Sequence, residues 1–147
     1  MVKTPIANLD DFAALDPFFR IVERGLQGLV DPGHFFDLMA EDVLTEYVVT
    51  VPGYPRRIEG REALAELYRP YGTGMRLDRA FDLAVYHDAV QNVAVLEYAV
   101  EGRTVHGNRR YANRFISVVT IENREIVRWR DYLDPIAVFD AHGWPQS

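Results

Sequence analysis

A chain of 147 residues with 26% charged and 48% hydrophobic side chains has the make-up of one globular domain around one core, with no room for a second. Its net charge of −6, spread without blocks, argues against nucleic acid as a partner, and no apolar run is long enough to cross a bilayer. The absence of cysteine removes disulfides and thiolate chemistry, and Lys3 as the only lysine leaves a Schiff-base mechanism without support.

Residues 1–15 read as a loose lead-in to a domain covering 1–147. The opening MVKTPIANLDDF lacks the basic-then-apolar pattern of a secretion signal, so a cytoplasmic location is expected. Asp16-Pro17 marks a helix start, an acidic N-cap before proline, and Phe18, Ile21, Val22, Gly25, Leu26 and Leu29 recur at helical spacing through Val30. Gly25 and Gly28 would let that helix pack closely over a pocket. Asp31-Pro32-Gly33 stops it, and 34–40 reads as a short second helix. From Asp42 the pattern turns to strand, VLTEYVVTV, with Thr45, Tyr47, Val49 and Val51 on one face and Leu44, Glu46, Val48 and Thr50 on the other. Residues 60–71 suit a third helix. Residues 75–86, 93–101, 111–121 and 125–133 follow as four strands joined by short turns, and 135–142 closes the chain as a short helix that starts at proline and stops at Gly143. Helices gathered in the first half and a run of strands in the second predict an α+β fold, a curved, cone-shaped, mostly antiparallel sheet with N-terminal helices enclosing a pocket.

The most informative stretch is IVRWRDYLD, 126–134. With a period of two, Val127, Trp129, Asp131 and Leu133 share one face, and Ile126, Arg128, Arg130, Tyr132 and Asp134 share the other. The first face is apolar except for Asp131. A buried carboxylate is hydrogen-bonded, paired, or holds a proton at a raised pKa, and the last state suits general acid/base work. The competing reading is that Asp131 bonds a backbone amide or an arginine and does no chemistry.

RWRDYLDP near the C-terminus and IEGREAL before the third helix resemble the nuclear transport factor 2-like superfamily, and more narrowly the SnoaL-like polyketide cyclases. Ketosteroid isomerases, limonene-epoxide hydrolases and phenazine biosynthesis A/B proteins are the relatives the resemblance brings with it. It covers about 16–143, and it implies a cavity-facing Asp131, with Trp129 lining the pocket beside it. The hydrolases' Arg-x-Asp on a neighbouring strand falls on Glu97 and Ala99, so the bridging arginine is missing. Their early-strand Tyr and Asn fall on Thr45 and Tyr47.

The candidate set is therefore Asp131, Glu97 and Tyr47 as catalytic groups, with Trp129, Asn113, His106 and Phe115 binding substrate. Two facing carboxylates would lift one pKa, and a tyrosine hydroxyl could donate to a developing enolate. Glu97 has an equal alternative, since Ala94, Leu96, Tyr98 and Val100 also form a buried face that would put Glu97 in solvent. Tyr47 reads more readily as a packed aromatic with a bonded hydroxyl, and His106, in the turn GRTVHGN, more readily as a solvated loop residue. No metal-ligand spacing joins His34, His87 and His142, and no glycine-rich phosphate loop follows a strand, so neither metal nor cofactor is expected. The expected activity is isomerase or cyclase chemistry on a small apolar carbonyl-bearing metabolite. A non-catalytic binder of the same fold and an epoxide hydrolase with an altered set are the alternatives. A homodimer through the outward Arg128, Arg130 and Tyr132 is the expected assembly.

Overall fold

The computed structural model describes residues 3–49 and 51–143, which leaves Thr50, assigned above to the strand face of Leu44, Glu46 and Val48, outside the described residues. Strands β1 (Met39–Tyr47), β2 (Arg57–Glu59), β3 (Met75–Asp88), β4 (Val93–Thr104), β5 (Arg110–Glu122) and β6 (Glu125–Leu133) form one curved sheet in the order β2-β1-β6-β5-β4-β3. Each pair is antiparallel except β1 with β6, which run parallel. The meander β3 to β6 follows from short turns between strong strand formers. The three-residue β2 carries no pattern in the sequence; it pairs Ile58 with Thr45 on the free side of β1.

Curvature has local causes. The β3–β4 register slips between Leu77 and Arg79 and again between Phe81 and Ala84, where Asp82 takes a positive φ of 59°, and such bulges bend a strand. Across from Leu77, a Cβ on Gly102 would overlap the Arg76 carbonyl oxygen, so only glycine admits this close approach. In β6 the two-residue alternation breaks at Val127, because Ile121 pairs with Ile126 while Thr120 pairs with Arg128. The slip turns Ile126 into the core, fully buried, instead of onto the arginine face expected for it.

Helices α1 (Asp16–Gly25), α2 (Arg61–Tyr68) and α3 (Pro135–His142) pack with three 3-10 turns, Leu9–Leu15, Phe35–Leu38 and Arg69–Thr73. The α1 start differs from expectation in its cap: Leu15 takes the N-cap position and Asp16 stands in the first turn without capping. The helix also stops at Gly25, short of Val30, and Gly28 lies beyond it in a turn with φ +88°. Gly25 does permit close packing, for a Cβ there would come within 2.9 Å of Leu96 Cδ2 on the sheet. The expected second helix shrinks to Phe35–Leu38, held by a reciprocal cap in which the His34 ring accepts from the Phe36 N–H and Asp37 accepts from the His34 N–H. Met39 and Ala40 already belong to β1.

From Lys3 onward the lead-in is tied down rather than loose. Phe12 and Leu15 are buried, and Phe12 meets Phe36 edge-on at 4.9 Å. Arg61, 1% exposed, donates to the carbonyls of Phe36 and Thr4, while Lys3 donates to the carbonyls of Asp37 at 2.6 Å and Met39 at 2.8 Å. These bonds strap the N-terminal segment over α2 and β1. Phe19 stacks on Phe35 at 4.6 Å and Phe18 meets Trp129 edge-on at 6.2 Å, joining the helical layer to the concave face of the sheet. At the far end α3 starts at Pro135 and stops at Gly143, at φ +79°, as the sequence predicts, and Asp134 caps it by accepting from the Ile136 N–H at 2.9 Å.

Candidate active site

Because β6 lies between β1 and β5, Asp131 has Tyr47 across one strand boundary and Ser117 across the other. Asp131 is 2% exposed. Its Oδ1 accepts two hydrogen bonds, from Ser117 Oγ at 2.6 Å and from the Trp129 indole N–H at 2.6 Å; neither reaches Oδ2. Burial pushes the carboxyl up from 3.8 to about 6, against the two donors, which favour the charged form. Tyr98 hydroxyl lies 2.8 Å from Ser117 Oγ. Since Ser117 has one proton and gives it to a carboxylate, Tyr98 must be the donor in that contact. The result is a directed line of protons, from Tyr98 to Ser117 to Asp131, with no cation in it.

Asp131 forms part of the wall of a cavity of about 220 Å³. Leu15 and Phe18 come from the N-terminal layer, Tyr68 and Tyr71 from α2 and the turn after it, Phe115 and Tyr111 from β5, and Val138 and His142 from α3. Tyrosines recur around it, Tyr47, Tyr54, Tyr68, Tyr71 and Tyr111, and no lysine or arginine is among the described residues that line it. Burial first, and then the neighbouring Asp131, raise the Tyr47 hydroxyl well above its ordinary range. The neighbouring Tyr68 hydroxyl works the other way. Phe115 lines the cavity and stacks on Tyr98 with ring centroids 5.4 Å apart and planes parallel within 1°.

Four proposed site residues stand elsewhere. Glu97 is exposed on the outer face of β4, paired with Ile116 and Ala84, so it cannot face Asp131 and no carboxylate pair forms. The alternation of Ala94, Leu96, Tyr98 and Val100, all buried, decides the face of that strand. His106 is exposed in the turn between β4 and β5, away from the cavity lining, where its carbonyl accepts from Thr104 Oγ1 at 2.9 Å. Trp129, 1% exposed, stands behind Asp131 as a donor and is not in the lining. Asn113, 4% exposed, is likewise outside the lining and bonds Tyr111, which is inside it. On the outer face Arg128 pairs with Glu46 at 2.7 Å and Arg130 donates to the Tyr132 hydroxyl at 2.9 Å.

Ser117, Tyr98, Tyr111, Tyr68 and His142 belong to the site but were not among the sequence candidates. Ser117 and Tyr111 share the parity of Asn113 and Phe115 in β5, so the signal was present in the same strand. Tyr68 and His142 come from helices, whose approach to a sheet no local pattern encodes. Among the described residues no group of three or more His, Asp or Glu side chains is arranged to hold a metal ion. The arrangement suits a single proton carrier in an apolar hollow ringed by phenols.

Comparisons with known proteins agree with this architecture. The chain is 30% identical over 107 residues to the uncharacterized protein YesE of Bacillus subtilis, covering 73% of each, and 26% identical over 124 residues to an uncharacterized PhzA/B-like protein of Pseudomonas aeruginosa, covering 84% of each. Its fold superposes on a candidate isomerase from Bacillus subtilis with a TM-score of 0.72 at 26% identity, covering 92% of this chain and 96% of that one. It also superposes on a phenazine biosynthesis-related protein from Pseudomonas aeruginosa with a TM-score of 0.66 at 19% identity, covering 95% and 94%. The profile of the SnoaL-like domain matches residues 18–129, the span from Phe18 at the cavity wall to Trp129 behind the buried acid, and the chain belongs to that family, with the nuclear transport factor 2-like fold.

Proposed function

We propose that this protein is an acid/base enzyme of the isomerase or cyclase type, acting on a small apolar carbonyl-bearing molecule with Asp131 carrying the proton. One observation bears the weight: a carboxyl 2% exposed, without a cationic partner, in the wall of an apolar cavity, with its pKa raised to about 6. Near neutral pH such a group is mostly ionised and accepts a proton, yet it is close enough to neutrality to return one. The two donors on Oδ1 hold the carboxyl in place and leave Oδ2 for the substrate. With Glu97 outside the cavity, one acid does both halves of the transfer. The likeness to the candidate isomerase of Bacillus subtilis points the same way. No arginine among the described lining residues stands ready to bridge carboxylates, which disfavours the hydrolase alternative.

Exchange of solvent deuterium into the carbon next to the carbonyl, followed by NMR over a panel of one- and two-ring ketones, tests the reading. Asp131→Asn should abolish exchange, while Glu97→Gln should leave it within about twofold, as for a surface change. Exchange undiminished in Asp131→Asn would overturn the assignment.

A further inference from the structure

Behind Asp131 stand two hydroxyls that the cavity does not reach. Ser117 on β5 lies opposite Asp131 on β6 and opposite Leu96 on β4, and Tyr98, two residues beyond Leu96 on the same face, reaches it across the diagonal. Neither side chain is in the cavity lining, so neither meets a molecule held there, and whatever they contribute passes through Asp131. Both are buried, and their protons must go to the partners at hand. Those are few: among the described residues the Tyr98 hydroxyl bonds Ser117, and the Ser117 hydroxyl bonds Tyr98 and Asp131.

A serine hydroxyl set between a phenol and a carboxyl can point either way. While Asp131 is ionised, Ser117 must donate to it. Once Asp131 takes up a proton, two arrangements compete. In the first the proton sits on Oδ2, and Oδ1, now the carbonyl oxygen, goes on accepting from Ser117 and from the Trp129 indole N–H, each at 2.6 Å. In the second the proton sits on Oδ1 and is given to Ser117, which turns its own proton toward Tyr98. That reversal leaves the buried Tyr98 proton without an acceptor among the described residues. It also makes the indole N–H, which can only donate, bond a hydroxyl oxygen in place of a carbonyl. We infer that Tyr98 is a positioning residue for Asp131: by donating to Ser117 it sets the direction of the chain, so that the proton Asp131 takes up is held on Oδ2, the oxygen left to the substrate, and is not passed back into the sheet. The use of that proton in catalysis rests on the function proposed above; its place on the carboxyl does not. A second effect runs the same way, since a phenol donating to Ser117 polarises the serine O–H and strengthens its bond to Asp131. Phe115, stacked on Tyr98 with ring centroids 5.4 Å apart, keeps the phenol in line from the cavity side. The other titratable groups around Asp131 are phenols, Tyr47 from β1, Tyr68 from α2 and Tyr111 from β5, each pushed up by burial, as Tyr98 is, and so neutral while the acid titrates.

Infrared difference spectra of the full chain, taken from above to below the titration of Asp131, test the inference without any ligand. Subtracting the same difference recorded on Asp131→Asn removes every other carboxyl, and His142 in the cavity wall with them, and leaves the carbonyl stretch of the protonated Asp131. In the native protein that band should lie low, as for a carbonyl oxygen accepting two hydrogen bonds. Tyr98→Phe, which keeps the ring and its stacking, should raise the frequency and shift the pH at which the band appears upward by a fraction of a pH unit, against about one to two in Ser117→Ala. Ser117→Ala should raise the frequency further. A merely structural role for Tyr98 would lower the unfolding midpoint and leave both the band and its pH of appearance where they are. A native band at the frequency of an unbonded carboxyl, which would put the proton on Oδ1, or a band indifferent to Tyr98→Phe, overturns the inference. A Tyr98-sensitive band in a protein that exchanges no deuterium into any ketone of the panel would sink the proton-transfer function and leave this inference standing; Asp131-dependent exchange with a band indifferent to Tyr98 would do the reverse.

Discussion

Asp131→Asn removes an ionisable group and almost nothing else, which makes it the cleanest measure of what burying that carboxyl costs. The amide oxygen can take the place of Oδ1 and still accept from Ser117 and Trp129. In the native protein the pKa rises from 3.8 in the unfolded chain to about 6, so between those values the folded state binds more protons than the unfolded one. Stability therefore falls as pH rises through that window and is constant above it; below it the acid is neutral in both states and costs nothing. At about 1.4 kcal/mol per pH unit, the rise amounts to about 3 kcal/mol. The variant lacks this loss. Urea unfolding of both proteins at a series of pH values, followed by tryptophan fluorescence, isolates the effect, because every other titrating group cancels in the difference. The variant's stability relative to the native protein should climb by about 3 kcal/mol from below the window to above it, equivalent to about 6–12 °C in melting temperature for a chain of this size. A flat difference would mean that Asp131 is not perturbed, and a difference falling with pH would mean it is held ionised; either result refutes the burial argument.

Two further outcomes are expected. Ser117→Ala removes a donor to the carboxylate, a bond worth roughly 1.5–3 kcal/mol when the acceptor is charged, and should raise the acidic limb of the pH profile of exchange by about one to two pH units; an unmoved limb would show that Asp131 is not the group titrating. Gly102→Ala should destabilise the fold by at least about 2 kcal/mol, since its methyl would overlap the Arg76 carbonyl across the β3–β4 pair, and thermal melting no lower than that of the native protein would contradict the packing.

What was legible in the sequence was whatever repeats locally. Alternation placed β3 to β6, proline and glycine bounded α3, and a lone acid on the apolar side of β6 singled out Asp131. Where a strand slips by one residue, the alternation misleads, as it did for Ile126. Where both faces of a strand read plausibly, it cannot choose, and Glu97 went to the wrong side because neither the bulk of Tyr98 nor its bond to Ser117 is visible along one strand. The phenol ring of the cavity was hidden for a different reason. Tyr68 and Tyr71 are far along the chain from Tyr111 and meet it only when α2 and its following turn fold across the sheet.

The parallel pairing of β1 with β6 has a consequence for how the protein is made. On the ribosome Tyr47 emerges long before Asp131, and the slot it will share with that acid stays vacant until β6 has been synthesised. The meander from β3 to β5 can pair as it appears, but β1 and β2 must wait as an unmated ribbon for the last strand to arrive. Nascent chains halted before 125 should thus carry an exposed sheet edge and depend on chaperone cover, and the hollow beside Asp131 comes into existence only as β6 docks.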